Sequence, residues 1–157
     1  MWAGSVISIH LASANEAPTY AVPEVKAVAG AGLEGDRYYR PVGEQVPQDE
    51  LTLIQQEALE ALAGDHGIAL EPGEHRRQVV TAGVPLNDLV GKEFQIGTVR
   101  LLGIKLNEPC KHLEDLTGRP GLIKGLVHRG GLRAQILEGG TIEVGAPVTP
   151  VAAPAEA

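Results

Sequence analysis

A glycine or a proline interrupts this chain about every five residues, with 20 glycines and 11 prolines among 157 positions. Glycine adopts turn conformations that other residues avoid, and proline cannot donate a backbone hydrogen bond, so both tend to end regular elements. This spacing argues against a bundle of long helices and favours many short strands joined by turns. Aromatic residues make up only 3% of the chain, so the core has to be built from Val, Leu, Ile and Ala.

Short stretches of aliphatic residues predict the strands. Residues 5–11 alternate polar and apolar side chains, which is typical of a half-buried strand. The other predicted strands span residues 24–28, 51–54, 77–81, 93–96, 99–106, 132–137, 141–144 and 147–151. Gly97 and Thr98 predict a hairpin between the strands on either side of them. Gly139 and Gly140 predict a turn that joins 132–137 to 141–144.

Helices are predicted to be few and short. Residues 55–62 form one candidate because Ala58, Leu59 and Leu62 share a face, and Gly64 is expected to end it. Residues 111–117 form a second candidate, 119–127 fit no single pattern, and 39–47 predict a loop long enough to act as a lid. The predicted fold is mainly β: a twisted β-barrel with a few short helices on its rim. It forms a single domain over residues 1–151, with a flexible C-terminal tail at 152–157.

The charge of the chain bears on its partners. The formal net charge is −7, which argues against general nucleic-acid binding because that requires a basic surface. No apolar run approaches the roughly 18 residues needed to cross a bilayer, and Cys110 is the only cysteine. We therefore expect a cytoplasmic protein that contacts neither nucleic acid nor membrane. Residues 105–133 nevertheless carry six basic and three acidic side chains, so this segment either meets a compact anion or forms ordinary solvated surface.

The stretch GAGLEGDR at residues 30–37 has glycines at 30, 32 and 35, the spacing with which many enzymes hold a dinucleotide. That use requires a helix directly after the glycines, whose first amides bind the pyrophosphate. Here Pro41 and Gly43 follow within about two helical turns, and no apolar stripe is present. The stretch is therefore predicted to be a structural turn that places Asp36 and Arg37 at the exit of a tight bend.

The stretch LNEPCKHLEDL at residues 106–116 has the clearest chemical character. Pro109 ends a strand, so Cys110 is expected at the first turn of a helix, beside Lys111 and two positions before His112. Helix amides and nearby cations favour a thiolate, which is a better nucleophile and metal ligand than a thiol. Lys111 and His112 are candidates for tuning this thiolate or moving protons. The alternative is a buried, inert cysteine.

Two further chemistries of Cys110 have weaker support. A structural zinc site is not expected, because Cys110 and His112 lack a second pair of ligands at zinc spacing. A cysteine-protease dyad would need a histidine beside the sulfur, and His128 is the candidate.

Two groups of arginines are candidates for binding an anion. One pair brackets a double glycine whose amides can turn toward the same phosphate or carboxylate, and another pair stands side by side upstream. For both pairs an ordinary surface ion pair is the alternative. The residues concerned are Arg129, Gly130, Gly131 and Arg133, and further upstream Arg76 and Arg77.

Several stretches, in this order, resemble one family, the MOSC domain, which is named from the C-terminal part of molybdenum cofactor sulfurases. They are GLEGDR at 32–37, RRQVVT at 76–81, LVGKEFQIG at 89–97, EPC at 108–110, and RGGLRA at 129–134 with Gly139, Gly140 and Gly145 after it. The resemblance covers about residues 3–150. It depends on the order and spacing of the motifs rather than on any one of them.

The resemblance implies a strand-rich barrel in which Cys110 carries sulfur as a persulfide or ligates molybdenum. It implies a molybdopterin cofactor, and small bacterial members are linked to detoxifying N-hydroxylated bases. Two positions depart from the usual pattern: Tyr38 stands where many members have His, and Gln78 where many have Asn. The expected cofactor-binding residues are Asp36, Arg37, Arg76, Arg77, Arg129, Gly130, Gly131 and Arg133.

Three functions follow as hypotheses. The first is a molybdopterin-dependent enzyme that reduces N-hydroxylated small molecules with electrons from a partner protein. The second is a sulfur carrier that receives persulfide sulfur on Cys110 from a donor protein. The third is a non-catalytic binding module in which the cysteine is merely buried.

Overall fold

The structure, a computed structural model, describes residues 2–151, so the tail predicted at 152–157 lies outside the described residues. It contains eleven strands, three α-helices and two short 3-10 helices, at Pro47–Asp49 and Leu86–Leu89. The α-helices are Gln56–His66 (α1), Lys111–Thr117 (α2) and Leu122–Leu126 (α3). The strands are Gly4–Leu11 (β1), Tyr20–Val22 (β2), Glu24–Val28 (β3), Gly32–Leu33 (β4), Leu51–Gln55 (β5), Val79–Ala82 (β6), Glu93–Ile96 (β7), Val99–Leu106 (β8), Leu132–Glu138 (β9), Gly140–Glu143 (β10) and Pro147–Pro150 (β11).

Seven of these strands close into a barrel. Their order around it is β1, β11, β7, β8, β9, β5 and β6, and β6 pairs with β1 again. Neighbours are antiparallel except β5 and β6, which run parallel and are connected through α1, as a parallel pair requires a crossover. Closure satisfies the backbone groups that an open sheet would leave unpaired at its edges. The mainly β barrel with a few short helices that the sequence predicts is confirmed.

A small second sheet consists of β10, β3 and β4. Within the glycine stretch at 30–37, Gly30, at a φ of 77°, lies in the turn between β3 and β4, and Gly35, at 86°, lies in a second turn after β4. The next α-helix begins only at Gln56. The predicted structural turn is therefore confirmed. The sequence predicts a turn at Gly139 and Gly140, but only Gly139 separates β9 from β10, and Gly140 is already the first residue of β10, which pairs with β3. Gly139 passes so close to the Ala27 carbonyl oxygen that a Cβ would lie only 2.6 Å from it.

The core is aliphatic, as the composition predicts. Barrel strands and the second sheet fill one cluster, in which Phe94, the single phenylalanine of the chain, is fully buried. The helices cover a second, smaller cluster on the outside of β5 and β6. Its buried members are Ile54, Leu62, Val80, Leu113, Leu122 and Leu126. This second cluster fixes α2, and therefore the residue that precedes it, against the barrel.

Several boundaries differ from the sequence prediction. The first helix runs through Gly64 to His66 and ends at Gly67, whose φ is 67° and whose N–H donates to the Ala63 carbonyl oxygen. Residues 77 and 78 precede strand β6 rather than belonging to it. The short strands β2 and β4 were not predicted, and the ambiguous segment 119–127 contains α3. None of the helices within 2–151 is long and apolar enough to span a bilayer.

Candidate functional site

The loop between β8 and α2 carries Cys110 to the surface. Cys110 is exposed and occupies the N-cap position of α2, where its carbonyl oxygen accepts a hydrogen bond from the Glu114 N–H at 3.1 Å. Leu113, one turn into the helix, is buried in the helical cluster and anchors this end of α2. The predicted start of a helix at Cys110 is confirmed, and the alternative of a buried cysteine is wrong because the side chain is exposed.

A cleft of about 160 Å³ lies beside Cys110. It brings together the cysteine, His112 and four of the arginines that the sequence singles out. Glu108 is the one carboxylate in its lining. Four guanidinium groups against one carboxylate make the cleft suitable for an anion. Its lining residues are Arg37, Tyr38, Thr52, Arg76, Arg77, Asn107, Glu108, Cys110, His112, Leu113 and Arg133.

Arg77 is the buried base of this cleft. Its guanidinium donates to the carbonyl oxygens of Gly130 at 2.7 Å, Asn107 at 2.8 Å and His75 at 3.2 Å. Burial lowers the pKa of Arg77 to about 10, the positive charge of Arg133 lowers it as well, and a thiolate on Cys110 opposes both effects. Arg77 therefore ties three chain segments together while placing a positive charge under the cysteine.

Arg37 and Arg76 form the opposite wall. Among the described residues, Arg37 Nη1 and Arg76 Nη2 are buried and have no hydrogen-bond partner. Arg37 Nη1 does lie 3.5 Å from Asp36 Oδ1, and its guanidinium stacks on the Tyr38 ring with 4.4 Å from Cζ to the centroid. Burial and the charge of Arg37 both lower the pKa of Arg76. The positive charge on this wall is only partly compensated by the protein itself.

Arg133 completes the cleft from strand β9. Its Nη1 lies 2.9 Å from Asp49 Oδ1, and its side chain is partly exposed. Leu132 and Ala134 on either side of it are buried in the barrel. The alternation of the strand therefore turns Arg133 outward, toward the cysteine loop.

Other predicted site residues lie elsewhere. Lys111 is exposed and pairs with Asp115 at 2.8 Å, which raises its pKa, and it does not line the cleft. Arg129 lines a separate cavity, together with His128. This placement does not support the thiolate-tuning role predicted for Lys111 or the anion-binding role predicted for Arg129.

Asp36 and the double glycine serve the packing around the cleft. The Asp36 carboxylate is buried and accepts hydrogen bonds from the Ala12 and Tyr38 amides and from Gln78 Nε2. Gly130 and Gly131 leave no room for a side chain: a Cβ would collide with the Asn107 carbonyl oxygen at the first position and with the Leu53 carbonyl oxygen at the second. Contact of these three residues with a cofactor stays a prediction.

Glu108 lines the cleft, although no role was predicted for it from the sequence beyond its place in the EPC motif. Its carboxylate accepts a hydrogen bond from the His128 N–H at 2.7 Å and lies 2.9 Å from His128 Nδ1. His128 is thus engaged by Glu108 and does not line the cleft, so it forms no dyad with Cys110 there. The sequence did contain a signal for this placement: Glu108 lies only two residues before Cys110, in the same loop after β8, so the two side chains have to lie close together.

Backbone strain gathers around the cleft. Within residues 2–151, the non-glycine residues with positive φ are Glu16 at 66°, Arg76 at 63° and His128 at 60°. Arg76 lines the cleft, Glu16 Oε1 lies 3.4 Å from Nε2 of the cleft residue His112, and His128 binds Glu108. Such conformations cost free energy and cluster at functional sites. Of the three, only Arg76 lines the cleft itself, so the strain is consistent with a site there but does not single it out.

A comparison with models of protein families identifies the family to which the fold and the motifs belong. The model of the MOSC domain matches residues 35–149, which include the arginine motifs and Cys110. The chain belongs to the MOSC domain family. The resemblance described from the sequence is therefore confirmed, and MOSC domains are associated with the molybdenum cofactor.

Solved structures agree with the MOSC fold. The YuaD protein of Bacillus subtilis superposes with a TM-score of 0.78 at 16% identity, over 94% of this chain and 97% of that one. YiiM of Geobacillus stearothermophilus gives 0.74 at 17% identity, over 95% and 75% of the two chains. YiiM of Escherichia coli gives 0.68 at 16% identity, over 97% and 72%. A search of curated proteins finds no significant sequence match.

The two departures from the MOSC pattern have different positions. Tyr38 lines the cleft and stacks on Arg37, so it can touch a ligand. Gln78 is fully buried behind the cleft: Nε2 donates to Asp36 Oδ2 at 2.6 Å, and Oε1 accepts from the Thr52 N–H at 2.9 Å. Gln78 therefore acts on the cleft only through Asp36 and Thr52, whereas Tyr38 belongs to the wall itself.

Proposed function

We propose that this MOSC protein binds a molybdopterin cofactor in the cysteine cleft, with Cys110 as the protein ligand of molybdenum. The observation that carries the proposal is an exposed thiol in a cleft lined by four arginines. A thiolate is a soft ligand suited to such a metal, and guanidinium groups bind phosphate through charge-assisted hydrogen bonds. Arg76 Nη2, a buried nitrogen that has no hydrogen-bond partner among the described residues, fits an anionic group as well.

Different residues of the cleft have different roles in the proposed site. Arg76 and Arg133, both partly exposed, are suited to contact the phosphate directly, while Arg77 keeps the cysteine loop in place through its carbonyl contacts. When bound, the cofactor supplies a metal centre that can pass two electrons to a substrate. His112 lines the same cleft and can hold or give up a proton at Nε2, which lies 3.4 Å from Glu16 Oε1.

The proposed reaction is the reduction of a small N-hydroxylated molecule. Such a substrate takes up two electrons and two protons: its N–O bond breaks, an N–H bond forms in its place, and the oxygen leaves as water. The electrons come from a partner protein, because a chain with one cysteine cannot hold an iron–sulfur cluster through its own thiolates. The lone cysteine also fits a reducing compartment, and on that ground we place the protein in the cytoplasm.

The proposal is tested by metal analysis of the wild type beside Cys110→Ser, both purified from a host that makes the cofactor. We expect about one molybdenum per wild-type chain and a loss of most of the metal in the variant. Metal-free wild type from a competent host would refute the proposal.

Arginine variants provide a matched control. Arg76→Gln removes a cleft guanidinium, whereas Arg129→Gln removes one that lines the separate cavity. We expect lower cofactor content in the first variant and wild-type content in the second. Equal cofactor content in the two variants would contradict a phosphate contact by Arg76 in the cysteine cleft.

A sulfur-carrier function is the second candidate, and it is favoured by the exposure of Cys110 to a partner protein. It requires a persulfide, in which a donor's sulfane sulfur is attacked by the Cys110 thiolate and the donor leaves as a thiolate. Mass spectrometry after incubation with a persulfide donor would show a gain of one sulfur atom on the peptide that contains Cys110. A non-catalytic binding module would show neither metal nor added sulfur, although its premise of a buried cysteine does not hold here.

A further inference from the structure

A second cavity lies apart from the cysteine cleft, between β1, α1 and the segment 69–73. We call it the histidine groove; its volume is about 510 Å³. None of its lining residues belongs to the cysteine cleft. Its lining comprises Ser8, His10, Ala21, Gln56, Leu59, Glu60, Ala63, Ala69, Leu70, Glu71, Pro72, Gly73, His75 and Val80.

Two buried imidazoles without charge line the histidine groove. His10 and His75 are both buried, and their rings meet edge to face with 5.2 Å between centroids. His10 Nε2 lies 2.8 Å from Ser8 Oγ, and His75 Nδ1 accepts a hydrogen bond from the Arg77 N–H at 2.9 Å. Burial lowers the pKa of both histidines. Neither ring therefore adds a positive charge to the groove at neutral pH.

The walls of the groove are apolar and its rim is acidic. Leu59, Leu70 and Val80 supply apolar surface, while Glu60 and Glu71 are exposed at the opening. No lysine or arginine is part of the lining. Over the described part of the chain, neither Glu60 nor Glu71 takes part in an ion pair. Arg119, a basic residue close enough to Glu71 for their charges to interact, is held by both oxygens of Glu74.

We propose that the histidine groove binds a small organic cation with an apolar body, such as a protonated amine. Apolar walls gain free energy when they cover a hydrocarbon body, and the two rim carboxylates attract the positive group. The uncharged histidines add no repulsion. The arginine-lined cysteine cleft has the opposite preference, so the two cavities select ligands of opposite charge.

The groove and the cleft are neighbours. Pro72 and Gly73 also line a shallow cleft that contains Arg76, a wall residue of the cysteine cleft. His75 contacts the groove with its ring, while its carbonyl oxygen accepts a hydrogen bond from Arg77. A cation bound in the groove would thus lie next to residues 72–77, the segment that carries Arg76 and Arg77 into the cysteine cleft. Binding does not require molybdenum, so this inference stands or falls independently of the proposed function.

The test is a titration of the ¹⁵N-labelled wild type with benzylamine, followed by backbone amide shifts. Benzyl alcohol serves as the uncharged analogue. We expect saturable shifts at groove residues such as Ala63, Ala69 and Leu70, and affinity for benzyl alcohol at least about three-fold lower, because each rim carboxylate contributes a modest ion-pair energy. Equal affinity for the two probes, or shifts that map elsewhere, would overturn the proposal.

Two sets of variants sharpen the test. Ala63→Leu fills the groove from an exposed position of α1, whereas Ala61→Leu adds the same side chain on the side of α1 that lines the separate cavity. We expect benzylamine binding to be lost in the first and kept in the second. The double change Glu60→Gln with Glu71→Gln should weaken benzylamine about five-fold and leave benzyl alcohol unchanged. Wild-type affinity in Ala63→Leu, or in the double variant, would contradict the assignment.

Discussion

The buried His75 makes the stability of this protein depend on acid in a way that can be calculated. Burial is the largest cause that lowers the pKa of His75 from 6.5 to about 3, followed by the charges of His10 and Arg77. The folded state therefore keeps His75 neutral, while the unfolded chain binds a proton below about pH 6.5. Stability is fully present above that pH and is lost as the pH falls toward about 3.

The size of the effect follows from the shift. Each pH unit below about 6.5 costs about 1.4 kcal/mol of unfolding free energy, so about 2 kcal/mol is lost at pH 5 through His75 alone. Urea unfolding at pH 7.5 and pH 5.0 measures this loss. In His75→Asn, Asn Oδ1 can replace Nδ1 as the acceptor for the Arg77 N–H. We expect the variant to lose about 2 kcal/mol less than the wild type between the two pH values.

The comparison isolates His75 because the neighbouring His10, whose pKa burial also lowers, is present in both proteins. An equal loss in wild type and variant would refute the reasoning. So would an NMR titration in which the imidazole of His75 takes up its proton near pH 6.5 in the folded wild type. The same titration does not depend on the stability of the variant.

Three further substitutions test the backbone and the support of the cleft by urea unfolding at neutral pH. Gly131→Ala should cost about 3 kcal/mol or more, because Gly131 has a φ of 110° and a Cβ there would collide with the Leu53 carbonyl oxygen; a loss below about 1 kcal/mol would contradict this. Gly64→Ala should add about 0.5–1 kcal/mol, since Gly64 lies inside α1 with open space around it; a destabilised variant would mean that the helix does not continue through this residue. Gln78→Asn should cost about 1–3 kcal/mol, because the shorter side chain withdraws a donor from the buried Asp36 carboxylate; an unchanged stability would show that Asp36 finds another donor.

Local patterns in the sequence were enough to predict most of the barrel. Strands such as β3, β7 and β8 have the predicted limits because alternation and flanking turns define them locally. The two-residue strand β4 carries no periodic signal, and β2 is only three residues long. The partner of β10 was beyond prediction, because Gly139 and Gly140 resemble a hairpin turn locally while the pairing with β3 is decided more than one hundred positions away.

The site was predictable in its chemistry and only partly in its geometry. The motifs pointed to Cys110 and the cleft arginines, because a single cysteine and paired arginines stand out by residue type. Arg133 lines the cleft and Arg129 does not, because Arg133 lies in strand β9 whereas Arg129 lies in the turn before it. The directions of these two side chains are defined only in the folded chain. The burial of Arg77 under the carbonyl oxygens of Asn107 and Gly130 likewise joins segments far apart in sequence.

The pairing of Gly4 with Val148 and of Ser5 with Pro147 closes the barrel. During synthesis on a ribosome, strand β1 emerges before β11 and must wait for it before this seam can form. Contacts of such long sequence separation slow folding, and until they form, the edge of β1 is open to pairing with other chains. A nascent chain stalled before residue 147 is therefore expected to need a chaperone, however well its helices and cysteine loop have already formed.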